Sequence, residues 1–186
     1  ELRDDYGSNP RLEAWQRGER VDWDDRESWW HPFHQTISDA VARGVAVRRA
    51  RVVSEPASDY IRWEHYATQA NVIAGEEVRW LPRSQASGFL VPANDFWLFD
   101  GKLLRVHHFA GKGNHVTDEL SADAMTLKLC ATAFEEIWDK AKEEKVSLRT
   151  AAFILGIGRV ARATELSGLA KTQLPSLGYF LFYLVL

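Results

Sequence analysis

Phe96-Trp97-Leu98-Phe99 runs straight into Asp100-Gly101, and Lys102 to Phe109 returns behind it. An apolar run ending on an Asp-Gly pair leaves the chain few options. The pair suits a two-residue turn in which both central residues take positive φ, so the stretch predicts a β-hairpin. An unbroken apolar run has no polar face to give to solvent. The first arm is therefore expected to be a central strand buried on both sides, and Trp97→Ala to cost about 3 to 5 kcal/mol.

The segments before the hairpin alternate in kind. Residues 10–17 open with Pro at a first helical position and stop at Gly18, which predicts a short helix. Residues 22–28 form an acidic loop carrying Trp23. From Trp30 to Arg43, Phe33, Ile37, Ala40 and Val41 recur at helical spacing, and Gly44 suits a C-terminal cap. Val45 to Val53 reads as a strand, with Val45, Val47 and Val53 on one face, Ala46, Ala50 and Val52 on the other, and Arg48, Arg49 and Arg51 interrupting it. Ser58 caps a helix to about Ala74 whose inward stripe is Tyr60, Trp63, Ala67, Ala70 and Ala74, and Glu77 to Leu81 is a second strand.

After Gly111-Lys112-Gly113 a short strand near 115–117 is expected, then a helix from about Ser121 to Lys145 burying Met125, Leu129, Ala133, Ile137 and Ala141. The order predicts an α/β domain with a central mixed sheet and flanking helices over residues 1–145. Residues 146–186 read as an added segment. They hold a glycine-interrupted helix and an apolar end too short to span a bilayer, and their charge is reversed, with Arg149, Arg159, Arg162 and Lys171 against Glu165 alone. That segment is expected to be dispensable for folding of the rest.

Composition narrows the partners. A net charge of -3 gives no global basic field for phosphates, which disfavours direct nucleic-acid binding. With Cys130 as the one cysteine, no intramolecular disulfide forms, and a reducing cytoplasm fits best. The opening Glu1-Leu2-Arg3-Asp4-Asp5 lacks an initiator Met and an apolar run, which reads as a trimmed start without an export signal. Eight Trp are many for 186 residues; cores use aromatics most, and ligand or protein interfaces, including those between copies in a homo-oligomer, come next.

Three stretches carry a resemblance. They are Arg51-Val52-Val53-Ser54-Glu55-Pro56 leading to Ser58-Asp59-Tyr60-Ile61-Arg62-Trp63-Glu64, then residues 74–83 (Ala-Gly-Glu-Glu-Val-Arg-Trp-Leu-Pro-Arg), then Asp95-Phe96-Trp97-Leu98-Phe99-Asp100. In order and spacing the chain resembles the actinobacterial domain of unknown function 6879. The resemblance implies an accessory role beside small helix-turn-helix regulators, with no established activity. Strand, helix, strand and an Asp-Gly hairpin also resemble half of a phospholipase D fold. With Asp100 as the motif's Asp, however, Ala93 replaces the nucleophilic His and Asp95 the phosphate-binding Lys, so no phosphodiester hydrolysis is expected.

Candidate chemistry rests on charge. Arg48, Arg49 and Arg51 on one strand, with Arg62, Arg79 and Arg83 close in the chain, are expected to converge with Glu64, Glu76, Asp95 and Asp100 at strand ends. Guanidinium forks suit a carboxylate or phosphate, so Arg51, Tyr60, Arg62, Glu64, Arg79, Arg83, Asp95 and Asp100 are the expected contacts of a small anionic ligand or an acidic partner surface. The same arrangement would otherwise be a salt-bridge network. The competing class is a hydrolase or transferase using Glu64, Asp95 and Asp100 as acid and base. His31 and His34 have metal-pair spacing but enclose Pro32, and of His107 and His108 at most one can join a site, because they alternate across a strand. No metal or cofactor is expected.

Overall fold

A computed structural model describes residues 1–7 and 9–143. The expectations for residues 146–186 lie outside them.

The helices begin and end where local chemistry allows. Helix α1 (Pro10–Gln16) has Pro at its start and is capped by Asn9, whose side chain accepts the Arg11 N–H. A single turn, α2 (Arg26–Trp29), precedes α3 (Pro32–Ala42). The α3 stripe differs from expectation, because Phe33 is 42% exposed and His34 is buried beside Ile37. In α4 (Asp59–Ala74) the Ser58 hydroxyl accepts the Ile61 N–H, and Gly75 leaves the helix at φ 102, a conformation open to glycine. Helix α5 spans Ala124–Glu143.

The class is α/β, as expected, but the strands divide between two sheets. Strands β1 (Arg48–Val53) and β2 (Glu77–Pro82) pair in parallel around the α4 crossover. Strands β3 (Asp95–Phe99), β4 (Leu103–Phe109) and β5 (His115–Ser121) form an antiparallel meander. The hairpin turns as its sequence requires, with Asp100 at φ 50 and Gly101 at φ 67. Strand β5 is longer than expected.

The parallel pair is covered on both faces. Ala50, Val52 and Leu81 pack with Ile137 and Trp138 of α5 on one side, while Val53 packs with Tyr60, Ile61 and Trp63 of α4 on the other. Two expectations fail here. Strand β3 lies at the edge of its sheet, Phe96, Trp97 and Leu98 are half-buried, and Phe99 is 45% exposed, so the unbroken apolar run is not a central strand. Its apolarity serves other contacts: the Trp97 ring meets Phe33, and the Arg49 guanidinium lies 5.5 Å from its centroid. Trp97→Ala therefore belongs below the range for a fully buried aromatic. In α5, Met125 and Leu129 are exposed, and the buried stripe is Cys130, Ala133, Ile137 and Trp138. The two stripes share Ala133 and Ile137; burial goes to the one that also carries the larger rings, Phe134 and Trp138.

Residues 1–7 act as a strap between the sheets. The Glu1 carbonyl accepts the Val52 N–H at 3.0 Å, along the edge of β1 that β2 leaves free. Asp95, at the start of β3, then takes the Leu2 N–H and the Tyr6 hydroxyl, each at 2.5 Å. At the β4–β5 turn Gly113 has φ 87, and a Cβ there would sit 2.8 Å from the Gly7 nitrogen, so only glycine fits. Among the described residues no helix is long and apolar enough to cross a membrane.

Candidate functional site

Strand β1 places Arg49 and Arg51 on the face that carries Val53, under α4, because their positions alternate with Ala50 and Val52. Two buried guanidiniums need anions. Arg49 binds Glu1 and, at 2.9 Å, Glu76, whose side chain is fully buried and also accepts from Asn71. Arg51 binds Glu64 and, at 2.7 Å, Glu1, and its guanidinium lies 4.8 Å from the Trp80 ring centroid. Tyr60, one turn before Glu64 on α4, donates its hydroxyl to that carboxylate at 3.1 Å.

This network borders a cavity of about 340 Å³ whose walls come from β1, α4, the strap, β3, β4 and α5. The volume lies within the range of small-molecule sites. Tyr60, Glu64 and Asp95 line it, together with Arg49, Trp97 and His107. Arg51 stands behind Glu64.

The other expected contacts lie elsewhere. Arg62 pairs with Asp59 along the same helix. Arg79 shares its face with Ala50, on the α5 side, where it donates to the Trp138 carbonyl at 2.8 Å and stacks on that indole. Arg83 binds the Leu2 and Val52 carbonyls and the Ser54 hydroxyl, tying the strap to the end of β1. Asp100 is in the exposed hairpin turn at the far end of β3. Of the groups expected to converge, Arg49, Arg51, Glu64 and Glu76 share this network, and Asp95 lines the adjoining cavity on its own partners, Leu2 and Tyr6; Glu1 and Tyr6 were not foreseen, because no local pattern marks them.

The electrostatics follow the packing. Burial alone would raise the Glu1 carboxyl, but the Arg49 and Arg51 charges outweigh it and hold the group at about 2. Burial, then the Glu64 charge and hydrogen bond, push the Tyr60 hydroxyl well above its usual value, and burial with Glu1 and Asp95 does the same to Tyr6. A raised tyrosine adds stability that is complete below the unfolded value near 10 and fades as pH climbs toward the folded value. Tyr6 and Tyr60 are thus expected to stay un-ionised above about pH 10, with the fold losing stability over the same interval. Tyrosinate absorbance followed beside circular dichroism checks this; ionisation of both while the fold is intact would contradict it.

The histidines separate into two situations. His34 accepts the His31 N–H on Nδ1 at 3.2 Å with the two rings stacked, so the His-x-x-His spacing serves the start of α3. At the open end of the meander, the Asp118 Oδ1 receives the His107 Nδ1 at 2.6 Å and the His115 Nε2 at 2.9 Å, while Arg105 holds the carboxylate's other oxygen. These are the described groups with donors suited to a metal ion.

Neither the curated proteins nor the solved structures contain a match to the chain. The pieces of this site, Arg51 through Glu64, Glu76 ahead of the second strand, and Asp95 opening the hairpin, all fall inside one match to the family described as Domain of unknown function (DUF6879), over residues 1–145, and the chain belongs to that family.

Proposed function

We propose that the chain is a non-catalytic accessory or sensor module of a helix-turn-helix regulator in the cytoplasm, receiving a small anionic ligand or an acidic partner side chain in the cavity beside β1. The observation that carries this reading is the Glu1 carboxylate seated between Arg49 and Arg51. It occupies the place, and has the chemistry, of the anion those forks would take from outside. The free, buried Cys130 accords with a reducing compartment.

The acid–base enzyme reading has less support. It needs Glu64, Asp95 and Asp100 in one cleft, yet Glu64 is engaged by Arg51 and Tyr60, Asp95 by Leu2 and Tyr6, and Asp100 lies at the opposite end of β3 from Asp95. A silent phospholipase-D-like half-domain, with Ala93 and Asp95 at the motif positions, accords with the same role.

The test has two arms. Co-expression with a small helix-turn-helix regulator from the same genome should yield a co-eluting complex. A thermal-shift panel of small carboxylates and phosphates should raise the melting temperature of the wild type but not of Arg49→Met. Separate elution together with an unresponsive panel would sink the proposal.

A further inference from the structure

The open end of the three-stranded sheet gathers groups that the acid–arginine network leaves unused. We propose that His107, His115 and Asp118 bind a divalent transition-metal ion of the zinc type through two imidazole nitrogens and one carboxylate oxygen, with further coordination positions left open. The inference does not depend on the partner reading above.

The backbone builds this convergence. Register runs Leu104 to Ser121 through His108 to Thr117 without a break, then skips to Phe109 opposite His115, so Val116 is an extra residue on β5. A bulge of this kind re-aims the side chain beyond it. Without Val116 as an insertion, Phe109 would face it, and His115 would point to the opposite side of the sheet with Thr117. With it, His115 shares the face of Phe109 and His107, and Asp118 is on that face as the direct cross-strand partner of His107. The same strands carry a contrasting pair: His108 and Glu119, 3.0 Å apart on the other face, have no second imidazole.

The donor atoms fit an ion. One ligand atom from each of the three residues lies within 4.8 Å of the others. Metal–ligand bonds of about 2.0 to 2.2 Å place neighbouring donors roughly 3 Å apart, close to the present spacing of both imidazoles from Oδ1. Arg105 holds the other carboxylate oxygen of Asp118, which leaves Oδ1 turned toward both imidazoles. Two imidazoles and one carboxylate suit zinc, cobalt, nickel or ferrous iron, whereas magnesium and calcium take oxygen sets. Arg105 keeps the site's charge near zero before the ion arrives, which tempers affinity. His107 also lines the cavity, so the ion would stand at its rim, within reach of a ligand donor.

The full chain is titrated with Co2+ at near-neutral pH by visible absorption, and with Zn2+ by calorimetry. One ion per chain is expected, since residues 144–186 contain no His or Cys. His115→Ala and Asp118→Asn should each weaken binding by at least about tenfold, while His108→Ala and His31→Ala should leave it unchanged. His115 is exposed on β5, so its loss leaves the core intact, and a matching circular dichroism melt verifies this. No uptake at millimolar ion, wild-type affinity in His115→Ala, or an equal loss in either control variant would each overturn the proposal.

Discussion

Replacing Arg51 by Ala is expected to cost about 3 to 5 kcal/mol, because it strips the counter-charge from carboxylates held beneath α4. Arg51 is 6% exposed; its partners are Glu64 and Glu1, and Trp80 stacks on it. Removing both charged members of a buried pair costs far less than removing one. Arg51→Met with Glu64→Gln should thus recover much of the loss. Urea unfolding is the measurement: a midpoint that falls with an unchanged slope reports stability alone. A loss under about 1 kcal/mol in the single variant would mean that water screens the site despite its burial.

Asp95→Ala is expected to cost about 3 kcal/mol or more, since two donors lose a charged acceptor at a position only 3% exposed. The loss should be accompanied by detachment of the strap, read as faster amide exchange from Leu2 to Tyr6 and earlier proteolytic cleavage there. Asp100→Asn, five residues on, keeps the left-handed turn and should change stability by no more than about 0.5 kcal/mol. Equal effects at the two positions would refute the distinction drawn between a bonded and a solvated carboxylate.

How much of this could be read from the sequence depended on how far each signal reaches. The Asp100-Gly101 turn, the Ser58 cap and the Gly75 stop act within a few residues, and each element fell where they placed it. Which strands pair is decided by residues far apart, and the expected single mixed sheet became a parallel pair and a meander. Strand register, equally invisible, separated Arg79 from Arg51: Arg79 aligns with Ala50 and goes to α5, whereas Arg51 aligns with Trp80 and goes to α4. The sequence suggests that these arginines and acids gather, but not which pair; Arg49 meets Glu76 and Arg51 meets Glu64 because buried arginine demands a nearby acid, and α4 with the residue after its C-terminal cap supplies two. His115 escaped notice because His-x-x-Asp spacing signals a helix, and only an inserted residue makes it signal one face of a strand.

The strap also sets an order of assembly. Its anchor on Asp95 spans 89 and 93 residues, and Gly7 docks against a turn at Gly113, while the hairpin and meander close through neighbours a few residues apart. Closing a long loop is entropically slower than closing a short one, and contacts of high sequence separation dominate folding time. On the ribosome, Glu1 can meet β1 early, but the Leu2 N–H and the Tyr6 hydroxyl have no acceptor until Asp95 has emerged, and Gly7 has no seat until the β4–β5 turn has. Until then, the edge of β1 is covered by a strap fixed at one end only, and so is less protected against any other unpaired strand in the vicinity.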